Sequence, residues 1–216
     1  MKIWITTASA TEMDIIKPLL LPHLPADSIF TVGGVGLVAT AIHSAKTISS
    51  EKPDLAIQIG IAGAFGNIPL GSAWLVESDC VGDQGVWESN QFKDCFALNL
   101  SNGNNFPYQA NQLINETAKE FQSAQFSLAA SVSVNQITTD PRMIDYYQNK
   151  LQVQLESMEG AAFHWACLTE KIPFLQIRGA SNAVGERNKQ HWKIKEALEA
   201  AASTALEFIQ TYRSNP

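Results

Sequence analysis

Strand-like apolar runs alternate with helix-periodic segments along this chain, and that alternation limits the folds open to it. "KIWITTA" (2–8), "DSIFTVGGVG" (27–36), "PDLAIQIGIAGAFG" (53–66), "SAWLVESDC" (72–80), "FSLAASVSV" (126–134), "LQVQLES" (151–157) and "IPFLQIRGA" (172–180) read as strands. Between and after them, "TEMDIIKPLLL", "LVATAIHSAKTISS", "ANQLINETAKEFQ", "PRMIDYYQNK", "MEGAAFHWACLTEK" and "KQHWKIKEALEAAASTALEFIQTYR" carry apolar residues at helical spacing. Thr11 is the expected N-cap of the first helix. Strands that alternate with helices predict an α/β fold with a mostly parallel central sheet flanked by helices. No linker-like break interrupts the 216 residues, so a single domain over 1–216 is expected.

A formal net charge of −6 argues against a general nucleic-acid binder and is compatible with a small-molecule substrate. Cys80, Cys95 and Cys167 are scattered, which fits a reducing compartment better than a disulfide framework. The four histidines show no metal-ligand spacing, so no metal and no cofactor are expected. The N-terminal apolar run is too short for a signal peptide, and no run approaches the ~20 apolar residues that cross a bilayer. A cytoplasmic protein without a membrane partner is the simplest expectation.

In sheets of this kind a ligand sits beyond the carboxyl ends of the strands. "GGVG" (33–36) and "GIAG" (60–63) each let backbone approach a ligand, or simply form a tight turn. Neither carries the Lys-Ser/Thr of a phosphate loop. The first arginine in the chain is Arg142, so the early strand exits lack the usual phosphate grip. Glu12 and Asp14 follow the first strand, and Glu159 follows the sixth. Each is also explained as a first-turn acid favoured by the helix dipole. Ser181 and Asn182 fit a polar site or an ordinary turn. Residues 81–107 form a long polar stretch, and Trp87 and Phe92 within it are candidates to cover a ligand.

Taken in order, "MKIWITTASATEMD", "GGVGLVATA", "KPDLAIQIGIAGAFGNIPLGSAWLVESD", "LESMEGAA" and "IPFLQIRGASNAVG" resemble the nucleoside phosphorylase and nucleosidase family. "SNAVGERN" and "ATEMDI" resemble its futalosine hydrolase branch, with the methylthioadenosine/S-adenosylhomocysteine nucleosidases as the near alternative. The resemblance implies a nucleoside phosphorylase-like fold, a purine nucleoside substrate, hydrolysis of its N-glycosidic bond and a homo-oligomer. It implies that Glu159 binds the ribose hydroxyls with Met158 packed on the sugar. Ala62, Gly63 and the backbone near Asn135 and Gln136 would line the base pocket. Asn182 would contact the purine, supported by Ser181 and Arg178. An acid after the first strand would activate water: Asp14 matches the family's glutamate by its spacing from Ala10, and Glu12 stands two residues before it. Two departures stand out: aspartate in place of that glutamate, and only "LPHLPADSIF" where the nucleosidases carry an extra hairpin. The first keeps open a non-catalytic nucleoside-binding domain.

Asn182 is neutral where adenine-releasing relatives use aspartate. An amide offers two N–H donors and one acceptor at any pH. That suits the C6 oxygen of a 6-oxopurine, where a carboxylate would set acceptor against acceptor. Glu186 and Arg187 either fold over the base or form a surface ion pair. Arg187 and Lys189 are the cations nominated for the acidic arm of futalosine.

Overall fold

The structure is a computed structural model describing residues 1–120 and 126–214. The chain runs β1 (Ile3–Thr7), α1 (Ala10–Leu20), β2 (Ile29–Val32), α2 (Leu37–Glu51), β3 (Leu55–Ala64) and β4 (Ala73–Asp79). A hairpin of β5 (Gly85–Glu88) and β6 (Gln91–Asp94) follows, then β7 (Leu113–Ile114), α3 (Glu116–Glu120) and β8 (Leu128–Ser133). The chain closes with α4 (Pro141–Asp145), β9 (Leu155–Ser157), α5 (Gly160–Glu170), β10 (Phe174–Ala183) and α6 (Ile194–Ser214). α4 continues into a π-helical turn at Tyr146–Lys150. The helix expected over 110–122 is confined to α3 among the described residues, and its last two positions lie outside them.

The α/β expectation holds, but the sheet is mixed and partly closed. β1 pairs in parallel with β2 and β3, β3 with β10, and β8 with β4 and β9. β4 runs antiparallel to β10, and β9 antiparallel to the end of β3. The link 65–72 is too short for a crossover helix, so β4 must reverse direction after β3. β10 then fits between them. β3 pairs with β1 along its first half and with β9 at Gly63 and Ala64. The path β3–β10–β4–β8–β9 thereby returns to β3 and curls around its own end.

The main core lies between the sheet and α1 and α6, with Ile5, Ile16, Ile57, Ile59, Leu198 and Phe208 buried in it. Trp4, Phe163 and Phe174 fill a second layer under α2 and α5. No helix among the described residues is long and apolar enough to cross a membrane.

α5 starts on a buried polar floor. Ala161 N–H donates to Ser133 Oγ at 2.8 Å, Gly160 N–H to Ser157 Oγ at 3.3 Å, and Ser133 Oγ–H to Asp79 Oδ1 at 2.9 Å. These bonds serve N–H groups that a helix start leaves open. A methyl at Gly160 would collide with Asp79 and Gln176, so glycine lets the helix sit this low. Burial raises the Asp79 pKa from 3.8 to about 6, against the Ser133 hydrogen bond and the charge of Arg178.

Folded Asp79 therefore keeps its proton where the unfolded chain has lost it. Its contribution to stability is full below pH about 4 and lost as the pH rises through about 6. The unfolding free energy of the wild type, relative to Asp79→Asn, should fall by about 3 kcal/mol across that window. Urea titrations of both proteins at each pH measure this; parallel curves would contradict the account.

Candidate functional site

β1, β3, β9 and β10 all end at one cleft of about 300 Å3. Its walls include Ser9, Glu12, Ala62, Gly63, Glu156, Met158, Glu159, Ser181 and Asn182.

Glu12 is held by its own helix start. Ser9, not Thr11, is the N-cap of α1 and forms a capping box with Glu12. Glu12 Oε2 accepts from Ser9 N–H and Ser9 Oγ–H, both at 2.9 Å. Oε1 accepts from Ile61 N–H at 3.2 Å, which ties α1 to β3. The carboxylate is thus buried and oriented at the cleft wall. Asp14 is exposed and does not line the cleft. Of the two acids, the structure brings only Glu12 to the cleft. Two residues along a helix turn the side chain by about 200°, so only one of the two can face the sheet. The S-x-x-E pattern of Ser9 to Glu12 was the local signal for the inward acid.

Glu159 caps α5 in position but not in bonding. It is the N-cap residue, one place before the first turn, and its side chain makes no cap bond to α5. Its Oε1 instead accepts from Gly36 N–H at 3.1 Å, and Oε2 from Met158 N–H at 3.3 Å. Gly36 has φ +92°, a conformation that suits glycine and aims that N–H at the carboxylate. The helix-dipole explanation alone therefore does not account for Glu159.

Arg178 lies beneath these acids, 1% exposed. Its Nη1 stands 3.5 Å from Glu159 Oε2, and Nη2 donates to Gln58 Oε1 at 2.7 Å. "GIAG" proves to be strand, not turn: Gly60 to Gly63 belong to β3. A methyl at Gly60 would come within 2.6 Å of Arg178 Nη1 and 3.0 Å of Glu12 Oε1.

β10 likewise runs on through Ala183, so Ser181 and Asn182 are strand residues. The β3–β10 register shifts between Ala180 and Asn182, a bulge that re-aims side chains. Ser181 Oγ–H is within reach of both Asn182 Oδ1 (2.8 Å) and Ala62 O (3.2 Å). Asn182 Nδ2 donates to Ala183 O at 2.9 Å, leaving its second N–H.

Asn135 and Gln136 are exposed and outside the cleft. Asp83 Oδ2 takes both of their backbone N–H groups, at 2.7 and 3.1 Å, so these donors are spent. Ile137 is the loop residue that reaches the cleft. Trp87 and Phe92 pack with each other, Phe92 also against Tyr146, away from the cleft. Glu186 and Arg187 do line it but form no ion pair with each other: Glu186 accepts from Asn188 N–H and faces His191 Nδ1 at 2.8 Å. Arg187 lies over the Trp192 ring at 5.6 Å. Lys189 is exposed and does not line the cleft. Glu156, Ile61 and Trp192 carry no sequence signal as cleft residues, because backbone donors and cross-strand neighbours leave no motif, whereas Gly36 lies in "GGVG" and Ser9 opens the S-x-x-E pattern. Among the described residues no cluster of His, Cys, Asp or Glu has metal-site geometry.

Residues 28–213 match the model of the phosphorylase superfamily. The chain belongs to the phosphorylase superfamily. Within it, the chain is 32% identical to a futalosine hydrolase of Thermus thermophilus, over 84% of this chain and 80% of the relative. It is 27% identical to a 5'-methylthioadenosine/S-adenosylhomocysteine nucleosidase of Maridesulfovibrio salexigens, over 82% and 76%. A solved futalosine hydrolase mutant of Helicobacter pylori superposes with a TM-score of 0.80 at 16% identity, covering 98% of this chain and 99% of that one. The nucleoside phosphorylase-like fold expected from the sequence is thereby borne out. These superfamily relatives are nucleosidases, which hydrolyse N-glycosidic bonds.

Gly60→Ala should displace the buried guanidinium and destabilise the fold by about 1–3 kcal/mol. Denaturant unfolding measures it; a neutral substitution would show that the packing between β3 and β10 gives way easily.

Proposed function

We propose that this chain hydrolyses the N-glycosidic bond of futalosine, releasing hypoxanthine as a step of menaquinone biosynthesis in the cytoplasm. The observation that carries the reading is a cleft lined by two buried, oriented carboxylates, Glu12 and Glu159, and by the neutral amide of Asn182. Glu12 is the acid that orients and deprotonates water at the anomeric carbon. Its three donors keep the carboxylate fixed while leaving it lone pairs for a water. Glu159 accepts the ribose hydroxyls, with Met158 against the sugar, and holds the oxocarbenium-like geometry. Asn182 donates its remaining N–H to the purine as charge builds on the departing base.

The glutamate at the cleft removes the reason for a purely binding domain, which rested on Asp14 as the substitute acid. Hydrolysis, rather than phosphorolysis, fits a cleft where Arg187 is the sole lining arginine or lysine among the described residues. Arg187 is the better placed of the two nominated cations for the acidic arm of futalosine, since Lys189 stands away from the cleft. A homo-oligomer is part of the same reading: Val35, Val38, Ile42 and Trp165 are exposed apolar residues on and around α2 and α5.

Incubation with futalosine, inosine and methylthioadenosine, with the free base identified by chromatography, tests the substrate. Hypoxanthine should be released at a rate independent of phosphate; preferential release of adenine would instead favour the nucleosidase of the 27% relative. Asn182→Asp should shift preference toward 6-amino substrates. Glu12→Gln should lower kcat by about 100-fold or more, while Asp14→Asn should leave it within about two-fold, since an exposed side chain off the cleft has no partner to lose. Equal losses in the two variants would overturn the choice of Glu12.

A further inference from the structure

The N-cap residue of α5 leaves the capping to other strands. An N-cap side chain ordinarily serves the second or third N–H of its own helix. Here the second, Ala161 N–H, donates to Ser133 Oγ on β8, and Gly160 N–H before it to Ser157 Oγ on β9. Ala162 N–H and Phe163 N–H reach the backbone carbonyl of Glu159, both at 3.1 Å. No N–H at this helix start is left for the Glu159 side chain, which turns instead to Gly36 N–H, Met158 N–H and Arg178.

The two serines are buried cross-strand partners. A hydroxyl has one hydrogen and two lone pairs. The hydrogen of Ser133 goes to Asp79 Oδ1 at 2.9 Å. Its lone pairs are then left for Ala161 N–H and for the hydroxyl of Ser157, 3.3 Å away. Asp79, fully buried at the end of β4, therefore sets the direction of both hydroxyls.

We propose that Ser133, oriented by Asp79, is a positioning residue for Glu159: it caps α5 in place of Glu159 and so keeps that carboxylate in the cleft. This rests on the reading of Glu159 as the residue that accepts the ribose hydroxyls. A buried N–H left without an acceptor is costly, and Glu159 stands one residue before the helix. With the Ser133 hydroxyl gone, its carboxylate turns back onto Ala161 N–H and leaves Gly36 and the sugar. Ribose recognition is then lost although no group that touches the ribose has been changed.

Two measurements test this. The first is the ratio of kcat/KM for futalosine to that for its 2'-deoxy form. Ser133→Ala should reduce the ratio by about ten-fold or more. The double variant Ser133→Ala/Glu159→Ala should match Glu159→Ala alone, because two residues that act through one contact do not add. Asp79→Asn, whose amide oxygen can still accept from Ser133, should recover most of the discrimination that Asp79→Ala loses. The second measurement, amide hydrogen exchange at Ala161, needs no turnover. That amide should stay protected in Ser133→Ala, where Glu159 caps it, and exchange about ten-fold faster or more in the double variant. A Ser133→Ala protein that keeps the wild-type ratio, or that already loses protection at Ala161, would overturn the role of Ser133. A wild type that treats the two nucleosides alike would overturn the ribose reading of Glu159, and the exchange rates would still decide which group caps α5.

Discussion

A single buried cation organises this site. Arg178 sits on β10 with almost no exposure, and a charge in that position must be paired and hydrogen-bonded to be tolerated. Glu159 and Gln58 meet that need from the start of α5 and from β3. Gly60 leaves the space in which the guanidinium lies, next to Glu12. One side chain thus links the sheet and α5, and it does so directly under the acids of the cleft. Removing one partner of such a pair costs far more than the pair itself contributes, because the other charge stays buried alone.

Backbone donors complete the arrangement. Glu12 is fixed by Ser9 and Ile61, and Glu159 by Gly36 and Met158. The acids are therefore oriented before any ligand arrives. The register shift beside Ser181 accompanies the placement of Asn182 in the wall of the same cleft. The cleft wall is thus assembled from separate elements, with Glu12 on α1, Glu159 at the start of α5 and Asn182 on β10.

Much of this was legible in the chain. The alternation of strands and helices, the "MEGAA" helix start and the "RGASN" segment point to Glu159, Arg178, Ser181 and Asn182, which the fold brings close together. Spacing from Ala10 favours Asp14, whereas the helix capped by Ser9 turns Asp14 to solvent and Glu12 to the cleft. Asn135 and Gln136 stand outside the cleft for a different reason. Their backbone donors are consumed by Asp83, some 50 residues earlier in the chain, and no local pattern reveals that.

Local propensity and hydrophobic periodicity act over a few residues, so the sequence by itself determined the element types, the α/β class and the candidate polar segments. Direction and closure of the sheet were decided only in three dimensions. β4 reverses because the link before it is short, and β10 inserts between β3 and β4 from more than 90 residues away in sequence. That insertion is what sets Gly63 between Glu156 and Asn182. Three residues from three distant segments become neighbours because backbone hydrogen bonding between strands fixes register, and register exists only once the strands have paired.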